Sequence, residues 1–155
     1  MIQRIQSVYL FLATVAAVLV FVFPLAVFTG LDFSGVLKVS GLNLLQNSPN
    51  LVSVNTIPLM ILLAVVALLS IVAIFYFKNR SIQLKIVKAN IIASVIFVAL
   101  IFLYCDRISG KITETKPVTY QAGAYIALVI VVLLILATRR ISHDEKKVRA
   151  ADRIR

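Results

Sequence analysis

Four long stretches of the chain carry no charged residue, and this feature limits the possible folds more than any other. The hydrocarbon core of a bilayer, about 30 Å thick, is crossed by a helix of about 17–25 apolar residues, and a helix satisfies its own backbone hydrogen bonds there. Each stretch is long enough for one such helix. The uncharged stretches are residues 5–31, 39–77, 89–105 and 117–138. The predicted spans within or across them are residues 7–28, 57–77, 86–105 and 120–138.

The composition supports the same fold class. Hydrophobic residues make up 61% of the 155 residues, whereas soluble domains typically contain about 45–50%. The mean hydropathy of the chain is +1.03. We therefore predict a single membrane domain over residues 1–155, an all-α bundle of four transmembrane helices.

The basic residues are distributed unevenly between the two sides that these spans define. The formal net charge is +10, and most Lys and Arg residues precede span one, lie in or beside the link between spans two and three, or follow span four. They are Arg4, Lys78, Arg80, Lys85, Lys88, Arg139, Arg140, Lys146, Lys147, Arg149, Arg153 and Arg155. The opposite loops, residues 29–56 and 106–119, are close to neutral. The positive-inside rule therefore places both termini on the cytoplasmic side.

The first outer loop carries strand and turn signals. Residues 35–40 and 51–57 are β-prone runs, and the turn-forming sequence Asn-Ser-Pro-Asn at residues 47–50 lies between them. We predict that the two runs pair as a small hairpin. Residues 111–116 in the second outer loop alternate in the same way. They either add a third strand or form a flexible loop.

Several residues mark the expected ends of the spans. Pro24 is expected to kink or end span one, and Pro58 occupies a favourable first helical position in span two. The aromatic residues 75–77 precede the inner link, residues 78–85, and are typical of a membrane surface. Span three is expected to begin in this interface.

The C-terminal tail carries a helix-start signal. Residues 142–145 read Ser-His-Asp-Glu, which matches the Ser-x-x-Glu capping box. We predict a new, short cytosolic helix over residues 143–154, separated from span four by a boundary at Arg139 and Arg140.

The sequence offers few residues for catalysis. Apart from Lys88 near the inner end of span three, no Asp, Glu, His, Lys or Arg lies inside a predicted span, which disfavours pumps and proton-coupled carriers. His143 is the only histidine and is expected on a solvated surface, while Cys105 is the only cysteine and is expected to be buried and inert. Since the chain has no phosphate-binding glycine loop, catalytic triad or paired carboxylates, we expect neither an enzyme nor a cofactor or metal site.

Polar and small residues at the spans are expected to serve helix packing. Asn90, Ser70 and Ser94 are predicted to form hydrogen bonds within the bundle rather than to bind a ligand. Gly123 and Ala127 are four residues apart, a spacing that lets helices approach closely. Intramolecular packing is the favoured role of this pair.

The basic cytosolic segments have two interpretations. Their charges set the topology and attract anionic lipid headgroups, at about 1 kcal/mol per Lys or Arg near the surface. The other interpretation is a docking site for an acidic protein, or for RNA on a cytosolic machine such as the ribosome. Charge alone is not specific, and we expect no specific nucleic-acid recognition.

Three segments also resemble a known family. Residues 1–7, 76–84 and 144–155 resemble an uncharacterised Bacteroidota family of membrane proteins, domain of unknown function 4293. The resemblance covers the whole chain. It implies a four-span protein of the bacterial cytoplasmic (inner) membrane with no assigned activity.

Two functions remain open at this point. The first is a non-enzymatic accessory or scaffold subunit of a membrane-protein complex, such as the protein export or insertion machinery, that docks through its basic cytosolic face. The alternative is a small permease or lipid-handling protein. Its cavity inside the bundle would be lined by Asn90, Ser94, Ser70 and Gln121.

Overall fold

The computed structural model describes residues 3–29, 34–44, 55–110 and 117–152. These residues form four α-helices and four short β-strands. The helices are α1 (Gln3–Val22), α2 (Ile57–Phe75), α3 (Arg80–Ser109) and α4 (Ala122–Asp152). The strands are β1 (Ala26–Thr29), β2 (Ser34–Lys38), β3 (Gly41–Leu44) and β4 (Thr119–Tyr120).

Three of the helices are long and apolar enough to cross a membrane. They are α2, α3 and the segment Ala122–Glu145 of α4, and α1 contributes a shorter apolar segment, Gln6–Val22. At 1.5 Å per residue, the 19 residues of α2 span about 29 Å, close to the thickness of a bilayer core. The fold is thus mainly helical and compatible with a multi-pass membrane protein.

The helices pack side by side in a ring, in the order α1, α2, α3, α4 and back to α1. Each presents an inward stripe of buried residues, most of them three or four positions apart, the spacing of one helix face. In α2 the stripe is Leu59, Leu63, Val66, Ser70 and Ala73. The opposite faces carry exposed apolar side chains on all four helices. Apolar surface therefore covers both the inside and the outside of the ring.

Contacts at both ends show that α1 and α4 are antiparallel. Gln6, near the start of α1, donates a hydrogen bond to Asp144 in the last part of α4. At the other end, the backbone N–H of Gly123 donates to the Pro24 carbonyl oxygen at 2.9 Å. A Cβ on Gly123 would lie 2.6 Å from that oxygen, so only glycine allows this approach. The expected packing role of Gly123 is confirmed within the chain.

Helices α2 and α3 are antiparallel as well. The Gln83 side-chain amide donates to the Ala73 carbonyl oxygen at 2.9 Å, and the Tyr104 hydroxyl donates to the Asn55 carbonyl oxygen at 2.7 Å. The first turns of α3 are therefore level with the end of α2. A single 3-10 turn, Tyr76–Lys78, joins the two helices. The inner link is thus shorter than the predicted residues 78–85, because α3 already begins at Arg80.

The predicted end of span one was wrong. Helix α1 ends at Val22, and the chain enters β1 at Ala26 instead of remaining helical to residue 28. Pro24 has no N–H to donate and disfavours a helical conformation in the residue before it. The N–H of Leu25 then donates to the carbonyl oxygen of Leu37, which commits this segment to the sheet.

The four strands form one antiparallel sheet in the order β3-β2-β1-β4. The strand predicted at residues 35–40 is confirmed as β2, but its hairpin partner is β3, paired so that Lys38 faces Gly41. The predicted partner, residues 51–57, is not a strand at residues 55–57, and its first four residues lie outside the described part of the chain. Residues 111–116 also lie outside it, and the strand that joins this sheet from the second outer loop is β4.

The predicted break after span four was wrong. Helix α4 continues without interruption from Ala122 to Asp152, so residues 143–152 of the predicted tail helix are the last part of α4 and Ser142 does not cap it. Residues 153 and 154 of that prediction lie outside the described part of the chain. Its sequence contains no Pro and no Gly after Gly123, and Arg, Lys, Glu and Ala are good helix formers.

Candidate docking site at the basic end

Three segments of the chain meet at the end of the ring opposite the sheet. Asp144 accepts a hydrogen bond from the Gln6 side chain of α1, and its backbone carbonyl oxygen accepts one from the Arg80 guanidinium of α3 at 3.3 Å. Beside it, the Ser81 hydroxyl donates to Glu145 at 3.1 Å. The start of α1, the start of α3 and the last part of α4 are thus held together at this end, which we call the basic end.

Asp144 is buried at this end, whereas most of the basic residues whose side chains are described are exposed. Asp144 is only 5% exposed and Gln6 only 4%, and Glu145 is half-buried. Four of the five basic residues whose side chains are described here are exposed, and the fifth, Arg80, is half-buried. We call these five the basic collar: Arg80, Lys85, Lys88, Arg139 and Arg140. The exposed surface of the basic end is therefore more positive than the sequence suggests, because Asp144 is buried.

The collar lies level with an aromatic girdle. The Gln83–Ala73 hydrogen bond puts the first turns of α3 beside residues 75–77, whose aromatic side chains are all exposed. Amphipathic aromatic rings and Lys or Arg side chains together are typical of a membrane–water interface. Lys88 lies about one turn deeper than Lys85, where its long stem allows the ammonium group to reach the surface.

The structure places the remaining predicted docking residues only in part. Arg4 lies in the first turn of α1, Lys78 in the 3-10 turn, and Lys146, Lys147 and Arg149 in α4, but their side chains are outside the described part. Arg153 and Arg155 lie outside the described residues altogether. We call residues 146–152 the tail; it extends α4 as a helix by about 10 Å at 1.5 Å per residue.

Buried polar side chains continue from the basic end toward the middle of the ring. The Asn90 amide of α3 donates to the Ser70 hydroxyl of α2 at 2.8 Å, and that hydroxyl donates to the Val66 carbonyl oxygen at 2.9 Å. The predicted helix-to-helix hydrogen bond of Asn90 is thus confirmed. The side-chain carbonyl oxygens of Asn90 and Gln83 are buried without a hydrogen-bond partner among the described residues.

These amide orientations are fixed by their partners. The Ala73 carbonyl is only an acceptor, so the Gln83 amide must present its NH₂ group there. With its NH₂ group toward Ser70, the Asn90 amide lets the hydroxyl keep its hydrogen bond to Val66, which the reverse orientation would give up. The unpaired groups are therefore acceptors in both cases. Gln121 does not join this set, since it lies at the sheet end, where its N–H donates to Leu25.

The inward position of Asp144 was missed by the sequence analysis, although a signal for it exists. Among the side chains of α4 that the structure describes, up to residue 145, the buried ones are Gly123, Ala127, Ile130, Leu134, Ala137, Ile141 and Asp144. This stripe keeps its spacing of three and four through the Arg139–Arg140 pair. Extending the stripe past the predicted span would have placed Asp144 on the inner face. His143 is exposed and Cys105 buried, as predicted.

The described side chains do not suggest a metal centre. No three His, Cys, Asp or Glu residues in the described ranges gather as metal ligands would. The arrangement at the basic end instead combines a positively charged surface with an internal hydrogen-bond network that joins three helices.

The fold defines a class of small helical protein with apolar helices of membrane-spanning length and a small antiparallel sheet at one end of the helix ring. Within that class, the chain belongs to the family described as Domain of unknown function (DUF4293), whose sequence model matches residues 2–154. The resemblance carried by the segments at residues 1–7, 76–84 and 144–155 is thereby confirmed. No curated protein and no solved structure matches the chain.

Proposed function

We propose that this protein is a non-enzymatic accessory or scaffold subunit of a membrane-protein complex in the bacterial inner membrane. On the cytoplasmic side, the basic collar binds lipid headgroups and the tail of α4 docks a partner protein. The observation that carries the proposal is the Asp144 contact, which turns an acid inward and fixes α4 to α1 and α3. The collar stays exposed and basic, and the tail leaves the bundle on a fixed helix.

The proposal includes four membrane spans, with α1 as the fourth. Helix α1 buries Leu10 and Ala17 against its neighbours while Val8, Phe11 and Val18 on its other face are more than half exposed. A helix at a protein–water surface carries polar residues on its outer face. An outer face of Val and Phe along the length of α1 fits acyl chains instead. The excess of basic residues at the basic end then gives cytoplasmic termini by the positive-inside rule.

The basic collar and the tail lie at different distances from the aromatic girdle. The collar lies level with the aromatic girdle, where anionic headgroups attract each Lys or Arg by about 1 kcal/mol. The tail extends α4 by about 10 Å beyond residue 145, and surface charges are screened over about 8–10 Å at physiological salt. We therefore assign headgroup binding to the collar and protein docking to the tail. An acidic surface on a component of the export or insertion machinery fits this chemistry.

The experiment is cross-linking of the protein in native membranes, followed by purification in mild detergent and mass spectrometry. The tail variant carries Lys146→Glu, Lys147→Glu and Arg149→Glu. The control Arg107→Glu reverses a charge on an exposed residue at the opposite end of α3. We expect the tail variant to lose a stoichiometric partner that the control and the wild type retain. If the same partners are recovered from all three, the docking function is wrong.

The alternative, a permease or lipid-handling protein, has one observation in its favour. The unpaired carbonyl oxygens of Asn90 and Gln83 need a hydrogen-bond donor inside the ring. Water or a polar solute would supply it. Asn90→Cys in a Cys105→Ser background tests this, because a membrane-impermeant thiol reagent modifies Cys at this position only if an aqueous path reaches it. Protection from the reagent counts against the alternative.

A further inference from the structure

An apolar crevice opens between α3 and α4 near the sheet end. Its volume is about 80 Å³, roughly half that of an engineered apolar cavity of about 150 Å³ that binds benzene. It has room for a short run of methylene groups rather than a whole organic solute. Its lining residues are Val98, Ile101, Phe102, Tyr120, Ala124, Tyr125 and Leu128, and the wall they form is entirely apolar.

The crevice faces outward from the ring. Phe102, Tyr125 and Leu128 at its rim are each about half exposed. The Tyr120 ring packs edge-on against Phe102, with 5.3 Å between ring centroids, and closes the crevice on the sheet side. Ala124 supplies its small floor. Water gains no hydrogen bond in such a site, whereas acyl chains surround this part of the protein if α3 and α4 cross the membrane.

A carboxylate follows the crevice on α3. Asp106 lies one turn beyond Phe102, on the same helix face, and is exposed. A purely anionic headgroup above the crevice would meet the Asp106 carboxylate. A headgroup that carries an ammonium group complements it. The ammonium must also donate hydrogen bonds to the carboxylate, which a quaternary amine cannot do.

We infer that this crevice is a binding site for phosphatidylethanolamine of the outer leaflet. An acyl-chain segment fills the crevice and the ammonium group binds Asp106. The inference depends on the proposed membrane spans but not on the proposed docking partner. It can therefore fail while the docking function stands.

The chain contains no tryptophan, which allows a direct test. Tyr125→Trp places a fluorophore at the rim of the crevice. Ile61→Trp is a control at the same depth on α2. The Tyr104–Asn55 hydrogen bond aligns α3 with α2. Ile61 lies six residues after Asn55, and Val98 of the crevice lies six residues before Tyr104. Both variants are purified and reconstituted into vesicles of unbrominated phosphatidylglycerol. These contain a small fraction of phosphatidylethanolamine with brominated acyl chains, which quench tryptophan on contact.

We expect the quenching at Tyr125→Trp to exceed that at Ile61→Trp by at least threefold at the same bromolipid fraction. The excess should vanish when the bromine is carried by phosphatidylglycerol or phosphatidylcholine. It should also vanish when Ala124→Leu, which fills the floor, is added to Tyr125→Trp, while the control signal stays unchanged.

Each other result overturns the inference. Equal quenching at the two positions means that the crevice contacts bulk lipid only. Weaker quenching at Tyr125→Trp means that a protein surface, such as a second copy of the chain, covers the crevice. An equal excess with all three headgroups removes the role of Asp106 in selecting the headgroup. Absence of quenching at both positions would also contradict the proposed membrane spans.

Discussion

The hydrogen bond between Ser70 and Asn90 allows a prediction in which two substitutions at one contact have opposite effects. Both residues are fully buried, Asn90 donates to the Ser70 hydroxyl at 2.8 Å, and the Asn90 carbonyl oxygen has no partner among the described residues. Ser70→Ala removes the acceptor and leaves the whole Asn90 amide unpaired. Asn90→Leu removes the amide and replaces it with an apolar group of similar size.

The sizes of the two energy terms decide whether each substitution raises or lowers the free energy of unfolding. A hydrogen bond between membrane helices contributes about 0.6 kcal/mol on average and up to about 1.7, whereas an unsatisfied buried polar group costs about 1–3 kcal/mol. Ser70→Ala should therefore lower the free energy of unfolding by about 1–2 kcal/mol. Asn90→Leu gives up one bond but removes one unpaired oxygen, so it should be neutral or stabilising by up to about 1.5 kcal/mol. In the double variant, the substitution at Ser70 should have little further effect, which gives a coupling of about 1–2 kcal/mol.

The assay is reversible unfolding of the purified protein in mixed micelles, followed by circular dichroism as the denaturing detergent fraction rises. Ser94→Ala is the matched control, because Ser94 is equally buried but donates to the Ile91 carbonyl oxygen of its own helix at 2.8 Å. It should change the stability by less than about 0.5 kcal/mol. A loss of more than 1 kcal/mol in Asn90→Leu would refute the reasoning, because the Asn90 oxygen would then have a donor, such as an internal water molecule.

Two further predictions concern the two ends of the ring. Gly123→Ala should destabilise the fold by about 1–3 kcal/mol, because its Cβ would lie 2.6 Å from the Pro24 carbonyl oxygen. The control Gly110→Ala, whose Cβ would meet nothing closer than 3.5 Å, should leave the unfolding midpoint unchanged. Equal effects in the two variants would contradict the packing argument. Asp144→Ala should free the last part of α4 from α1, because it leaves the Gln6 amide unpaired. The measurement is amide hydrogen exchange over residues 139–152, which should become faster. Asp144→Asn keeps an acceptor for Gln6 and should exchange nearly as slowly as the wild type.

The sequence located the helices better than their ends. An uncharged run indicates an apolar helix, but the end of a helix depends on the competing partners of its backbone. After Pro24, the N–H of Leu25 binds the Leu37 carbonyl oxygen, a contact with a residue twelve positions away. The same limit applies to the sheet. The alternating pattern identified β2 as a strand, but the choice of β3 over residues 51–57 as its partner is decided by tertiary pairing.

The basic end was predicted as a set of charges rather than as an arrangement. Charge counts identified the collar residues, but they did not predict the inward position of Asp144. In the structure this acid belongs to the inward stripe of α4. The charged pair Arg139 and Arg140 was interpreted as the end of the helix. Charged residues indicate where an apolar segment ends, but the stripe of buried residues on α4 continues past them.

Because α4 continues as a helix into the tail, docking of a preformed helix can be distinguished from simple charge attraction. A tail that is already helical has less conformational entropy to lose on binding, whereas ordering a flexible backbone costs about 1–2 kcal/mol per residue. Ser142→Pro should break the helix between the bundle and the tail without changing any charge, since proline lacks the N–H and its ring collides with the carbonyl oxygen of Thr138. With Ser142→Ala as the control, we expect Ser142→Pro to weaken partner binding at least tenfold, or about 1.4 kcal/mol. The partner is first identified by the cross-linking experiment, and the affinity is then measured with both proteins purified. Unchanged affinity would mean that the tail acts as a flexible polybasic segment, and the rigid presentation by Asp144 would have no role in docking.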